Sequence, residues 1–218
     1  MISVETRGQI ETLALDREKP LIICDVDEVV LHFLRGLEAH LKENGMWLDP
    51  ASFALNGNVK YAGTNDPLPA SEIGPILHAF FEARAGNLDV IDNAAETLNE
   101  LGEMAEVVLL TNMPHAFRKA RVENLQSHSI HHPVISNSGM KGPAVREISA
   151  GTKAPVIFLD DTPNNLHSVA DTCPETTIIH FIQDDRFGRY LDVIERFSYR
   201  TNNWIETGDH IRGKIGDR

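Results

Sequence analysis

Three acids crowd the end of an apolar run. In LIICDVDEVV, residues 21–30, Asp25, Asp27 and Glu28 fall within four positions of one another. Packed like charges repel, and desolvating each costs several kcal/mol unless something compensates. A solvated turn after a strand is one reading; a cation site at the carboxyl end of a parallel strand is the other. Further along, VVLLT ends in Thr111 and Asn112, Lys141 stands in SNSGMKGPAVREI, and VIFLDD delivers Asp160 and Asp161. Acids with a hydroxyl and an amine suit a hard cation and a phosphate together. Mg²⁺ keeps several waters and binds through one or two carboxylates plus phosphate oxygens. Thr111, Lys141 and free backbone N–H groups would hold the remaining oxygens.

The elements that must position these residues are legible as periodicity. Five short runs, LIIC (21–24), VVLLT (107–111), PVIS (133–136), VIFLD (156–160) and TTIIHFI (176–182), have the length and β-branched content of buried parallel strands. Between them lie helical patterns. Asn93 with Glu96 reads as a capping box, Pro114 as a first helical position ahead of Phe117, Val122 and Leu125, and Pro143 as another start. Parallel strands need crossovers, so the fold class is α/β, a doubly wound, Rossmann-like parallel sheet. In such a sheet the strand ends share one edge, and four segments converge there.

More than 80 residues separate the first two strands, far beyond one crossover. Residues 32–88 read as a helical insertion, with residues 1–31 and 89–218 as the core domain. HFLRGLEAHLKENG puts Leu34, Leu37 and Leu41 on one stripe and ends at Gly45. Asp49-Pro50 opens a short helical turn carrying Phe53 and Leu55. Residues 56–70, rich in Gly, Asn and Pro, read as a loop, and SEIGPILHAFFEARAG as a second helix.

With 218 residues and a net charge of −12, the chain suits a core domain carrying a smaller one, and its acidity argues against a nucleic-acid backbone or an anionic membrane. The N-terminal segment lacks the apolar core of a signal peptide, and no run approaches the ~20 apolar residues of a membrane span. A cytoplasmic protein with reduced Cys24 and Cys173 is the expectation. Nothing in the sequence points to a particular oligomeric state. No GxxxxGK[ST] occurs, which excludes a P-loop kinase. Position 30 is Val, so Cys24 is not the nucleophile of a Cys-x5-Arg loop. His128, His131 and His132 lack the partners of a zinc site and read as loop histidines. Arg35 and Arg84 read as surface residues of the insertion that could reach a second anion, Asp184-Asp185 as a solvated loop. The pair Trp204-Ile205 in the tail could dock on the core or on a partner.

The ordered set Asp25-x-Asp27, Thr111, Lys141, Asp160-Asp161 resembles the haloacid dehalogenase (HAD) superfamily of phosphotransferases over residues ~20 to ~182. The resemblance implies Asp25 as nucleophile, forming an aspartyl phosphate, and Asp27 as general acid and then base. It implies Mg²⁺ held by the Asp25 carboxylate, the Asp27 backbone carbonyl and Asp161, with Asp160 close by. Thr111 and Lys141 would grip the phosphoryl oxygens, with Asn112 on the same edge. The insertion lies where the family places a helical C1-type cap, which closes over small molecules. The implied activity is a Mg²⁺-dependent phosphatase acting on a small phosphorylated metabolite. A phosphomutase or protein phosphatase would use the same residues, and a non-catalytic phosphate- or protein-binding module would keep the fold. Glu28-Val29 departs from the family's usual Gly-Thr, and Glu at this position is shared with capless protein phosphatases.

Overall fold

The computed structural model describes residues 2–51, 54–188, 194, 196–197 and 199–216. In chain order the elements are α1 (Val4–Glu11), β1 (Leu21–Cys24), α2 (Phe33–Glu43), β2 (Met46–Leu48), β3 (Val59–Tyr61) and α3 (Ala70–Arg84). Then come α4 (Ala94–Met104), β4 (Glu106–Asn112), α5 (Arg118–Ser127), β5 (Val134–Asn137), α6 (Gly142–Ile148) and β6 (Val156–Asp160). The chain continues through α7 (Pro163–Thr172), β7 (Thr177–Phe181), the short α8 (Asp185–Gly188), β8 (Tyr199–Thr201) and α9 (Trp204–Gly216).

Six strands form one parallel sheet in the order β5-β4-β1-β6-β7-β8. The five expected strands are all present, and β1 and β6 keep their expected bounds. Alternate residues of β1 enter different cores: Ile22 and Cys24 one, Leu21 and Ile23 the other. This is why the strand reads as an unbroken apolar run, since both faces carry helices. The order reverses around β1, which has β4 on one side and β6 on the other, so a crevice opens at their carboxyl ends.

The described residues of 32–88 contribute no strand to this sheet. Their helices α2 and α3 are joined by β2 and β3, an antiparallel pair with Met46 opposite Tyr61 and Leu48 opposite Val59. The expected loop over 56–70 therefore contains a strand, and the insertion is not purely helical. Strands of three residues carry too little periodicity to outweigh the Gly and Asn around them. Gly45, at φ +71°, ends α2 in the left-handed conformation that glycine adopts without penalty. Phe53 lies outside the described residues.

Three local expectations fail. Asn93 precedes α4, but at φ +63° its side chain makes no capping bond. Pro114 precedes a 3-10 turn (His115–Phe117), and α5 begins only at Arg118. Asp184 is not simply solvated, for it pairs with Arg186 at 2.6 Å, and Asp185 opens α8. The tail docks on the core: β8 pairs with β7, Trp204 is fully buried, and its Nε1 donates to the Val29 carbonyl at 2.7 Å. Ile205 stays exposed. No helix among the described residues is long and apolar enough to cross a membrane.

Candidate active site

β1 hands over directly to the site. The Asp25 N–H continues the sheet by donating to the Leu159 carbonyl, and Asp25 Oδ1 accepts from the Val26 N–H at 2.7 Å. The chain then turns, with Val30 and Leu31 N–H groups both donating to the Val26 carbonyl. Glu28 sits in this turn at φ +62°, a left-handed conformation that costs a non-glycine residue about 1–2 kcal/mol. Its buried carboxylate accepts from the Leu34 N–H at 2.6 Å and so caps α2, whose His32 N-cap makes no side-chain bond.

Lys141 immediately precedes α6 and is fully buried. Gly142 allows this placement, since a Cβ there would collide with the Ser168 carbonyl of α7. The Lys141 ammonium lies 2.6 Å from Asp25 Oδ1 and 2.7 Å from Asp160 Oδ2. Burial works against its charge, but Asp160 and Asp25 outweigh burial and hold its pKa above the usual value. Burial moves Asp25 the other way: its pKa rises to about 7, with Asp160 and Asp27 adding to the rise and Lys141 opposing it. Asp161 is likewise raised well above the carboxylate range by burial, then by Asp160, Asp25 and Glu28.

The two consecutive acids have different surroundings. Asp160 is saturated by internal donors: Lys141 on Oδ2, the Thr162 N–H at 2.9 Å on Oδ1, and Asn165 Nδ2 near both oxygens. Among the described residues, Asp161 accepts only the Thr162 hydroxyl on its carboxylate, at 3.1 Å. Asp25, Asp160 and Asp161 each bring a carboxylate oxygen to within 4.8 Å of the others. Buried acids outnumber the one cation among them, a donor set that suits a divalent ion with oxygen ligands.

Asp27 points to the neighbouring strand. Its Oδ2 accepts from the Thr111 hydroxyl at 3.2 Å, and its Oδ1 lies 2.9 Å from Nη2 of Arg121. Arg121, on α5, is fully buried and was not among the expected site residues. The one signal for it was its position between Phe117 and Leu125 on the inward stripe. Asn112 lines the rim, accepting from Asn137 Nδ2 and donating to the Gly139 carbonyl, which secures the loop that carries Lys141. The histidines have structural roles: Nε2 of His128 and of His132 lie 2.9 Å and 3.2 Å from the Leu88 and Leu98 carbonyls. Thus Asp25, Lys141, Asp160 and Asp161 form one cluster, with Asp27 and Thr111 in contact beside it and Asn112 at its rim.

Above the cluster lies a chamber of about 550 Å³. Asp25, Asp27, Asp161 and Lys141 lie on its floor, and α2, β2 and α3 supply its far wall.

No protein-family model matches the chain, and no curated protein matches it in sequence. Solved structures do match in fold. A haloacid dehalogenase-like hydrolase from Streptococcus pneumoniae superposes with a TM-score of 0.60 at 14% identity, covering 89% of this chain and 99% of that one. A HAD family hydrolase from Deinococcus radiodurans with bound phosphate and sodium gives a TM-score of 0.60 at 13% identity, over 91% and 97%. A Bacillus subtilis HAD-hydrolase structure bound to magnesium gives 0.57 at 10% identity, over 89% and 98%. The chain therefore has the haloacid dehalogenase-like fold, a Rossmann-like parallel sheet with an insertion after the first strand.

Proposed function

We propose that this protein is a Mg²⁺-dependent phosphomonoester hydrolase that works through an aspartyl phosphate on Asp25, with residues 32–88 as its cap. The observation that carries the reading is the fully buried Lys141 bridging Asp25 and Asp160 beneath a chamber of about 550 Å³. The phosphate in the Deinococcus relative and the magnesium in the Bacillus relative agree with it.

Asp25 and Asp161 would hold Mg²⁺ by carboxylate oxygens, with the Asp27 carbonyl, and Asp160 would stay behind them on Lys141. When bound, the ion neutralises charge on the phosphoryl oxygens. Lys141 and the Val26 N–H fix the Asp25 carboxylate, which attacks phosphorus as the ester P–O bond breaks. Asp27 gives a proton to the departing oxygen. It then takes one from the water that attacks the aspartyl phosphate, releasing inorganic phosphate and restoring Asp25. Splitting the displacement into two steps lowers each barrier, and the protein's part is positioning and charge neutralisation. Glu28 is consumed in capping α2, so its presence needs no protein substrate to explain it. A chamber of about 550 Å³ instead suits a small ester.

The test is phosphate release from an aryl phosphate with Mg²⁺, followed by acid quench and peptide mapping. Loss of activity in excess EDTA and a phosphoryl group on Asp25 are expected. Full activity in EDTA, or phosphate on another residue, would refute the assignment.

A further inference from the structure

The chamber has two chemically different halves. Its polar groups belong to the core strand ends and the turns that follow them: Asp25, Asp27, Asn112, Lys141, Asp161 and Asn165 among them. The insertion lines it only with Phe33, Leu34, Leu48, Leu55, Leu77 and Phe81, among the described residues. The four lysines and arginines of residues 32–88 all lie elsewhere. Arg84 pairs with Glu43 at 2.5 Å, and Lys60 pairs with Asp49 at 2.6 Å while lying over the Trp47 ring. Arg35 lines a separate polar crevice with Glu38 and Asp184, and Lys42 is exposed. The single lysine or arginine lining the chamber among the described residues, Lys141, is already shared between Asp25 and Asp160.

A second anionic group on a substrate would therefore meet no cation among the described residues of the chamber, and a buried unpaired charge is strongly unfavourable. The hydroxyls of a sugar would face carbon and leave hydrogen bonds unmade. An apolar body gains on every methylene removed from water. Core residues extend this wall, with Met140 and Phe187 meeting it beside the floor.

Resting on the hydrolase reading above, we infer that the substrate is a monophosphate ester of an apolar alcohol, its phosphate on the polar floor and its hydrocarbon body against the insertion. A second phosphate, a carboxylate or a sugar ring as the leaving group does not fit this wall.

Binding and turnover can be tested separately. Linear alkylphosphonates carry the same headgroup and cannot be hydrolysed, so calorimetric titration into the Mg²⁺-loaded protein reads the chamber alone. Affinity should rise about fourfold per methylene until the chamber is filled. A terminal carboxylate on a chain of the same length should weaken binding by at least about 10²-fold. Flat affinity along the series, or equal binding of the carboxylate, would overturn the inference. Turnover of the matching alkyl phosphates then addresses catalysis. Graded binding without phosphate release would sink the hydrolase reading and leave the apolar site standing. Phosphate release with no preference for chain length would do the reverse. Leu77, half-buried on α3, offers a second test. Leu77→Arg should remove the carboxylate penalty and weaken the alkyl series. If a folded variant with an unchanged melting temperature kept the full penalty, α3 would not face the leaving group, and the assignment would fail.

Discussion

Replacing Lys141 by methionine removes the ammonium and keeps most of the side chain's apolar volume. In the native protein that ammonium sits 2.6 Å from Asp25 and 2.7 Å from Asp160, with Asp161 beside them, and all four side chains are buried. Breaking a buried ion pair by deleting one partner costs about 3–5 kcal/mol, because the other charge is left uncompensated. For a chain of this length each kcal/mol lowers Tm by about 2–4 °C, so a fall of about 6–20 °C is expected at pH 8 without metal. The acids set the pH dependence, since Lys141 is held above its usual pKa and stays charged between pH 5 and 8. Asp25 has a folded pKa raised from 3.8 to about 7, so the folded state keeps a proton that the unfolded chain releases. Its contribution to stability is present below pH 4 and is lost as pH rises towards 7. Methionine raises the folded pKa further, so the variant's deficit is small near pH 5 and full at pH 8. Mg²⁺ at a hundred times its Kd adds about 2.7 kcal/mol by mass action and should recover much of the loss. Scanning calorimetry at pH 5 and pH 8, with and without Mg²⁺, measures each quantity. Equal losses at both pH values, untouched by Mg²⁺, would show that Lys141 matters for packing and that the charge argument is wrong.

Three further outcomes follow from the same geometry. Asp27→Asn should retain a burst of phenol near one equivalent per site from an aryl phosphate with a good leaving group, then turn over about 10²–10⁴-fold more slowly, whereas Asp25→Asn should give no burst; matching bursts would contradict the separate roles. Asp161→Asn should weaken Mg²⁺ binding in a calorimetric titration, while Asp160→Asn should mainly lower Tm, because its oxygens already bond Lys141, Thr162 and Asn165; the opposite pattern would exchange their roles. Glu28→Gly relieves a left-handed φ of +62° and a buried carboxyl whose pKa is pushed up to about 7, but removes the cap of α2. Because the raised pKa penalises the ionised form, the variant should be favoured more at pH 8 than at pH 5, and denaturant titrations showing the reverse would count against this account.

The core strands were legible because burial on both faces leaves no alternation to misread, as in LIIC and VIFLD. β8 was not, since YRT has three residues of mixed polarity and owes its strand geometry to β7 beside it. The cluster acids Asp25, Asp160 and Asp161 were legible because they end apolar runs at the one edge where an α/β sheet gathers its strand ends. Arg121 was hidden for the opposite reason. A charged residue in a helix such as RKARVENLQS suggests a solvated face, and although Arg121 shares the stripe of Leu125, its partner Asp27 lies on a distant segment of the chain. Likewise, nothing in the pair Asp160-Asp161 says which one faces the lysine; the Asn165 amide and the Thr162 N–H decide it.

Three of the five acids at the ends of β1 and β6 are compensated by groups of the fold itself. Glu28 takes the N-terminus of α2, where the free N–H groups favour a carboxylate. Asp27 has a buried guanidinium on one oxygen and a hydroxyl on the other. Asp160 takes Lys141 together with the turn that opens α7. What is left is Asp25, which shares Lys141, and Asp161, whose carboxylate has a single hydroxyl donor. Burial and neighbouring charge raise the pKa of both, as they do for Glu28. Glu28 lies outside the oxygen cluster, however, so Asp25 and Asp161 are where a dication would relieve the most. Mg²⁺ typically takes one or two carboxylates and leaves its other positions to water and phosphate. The spare capacity of the cluster is therefore two carboxylates, and it opens onto the floor of the chamber.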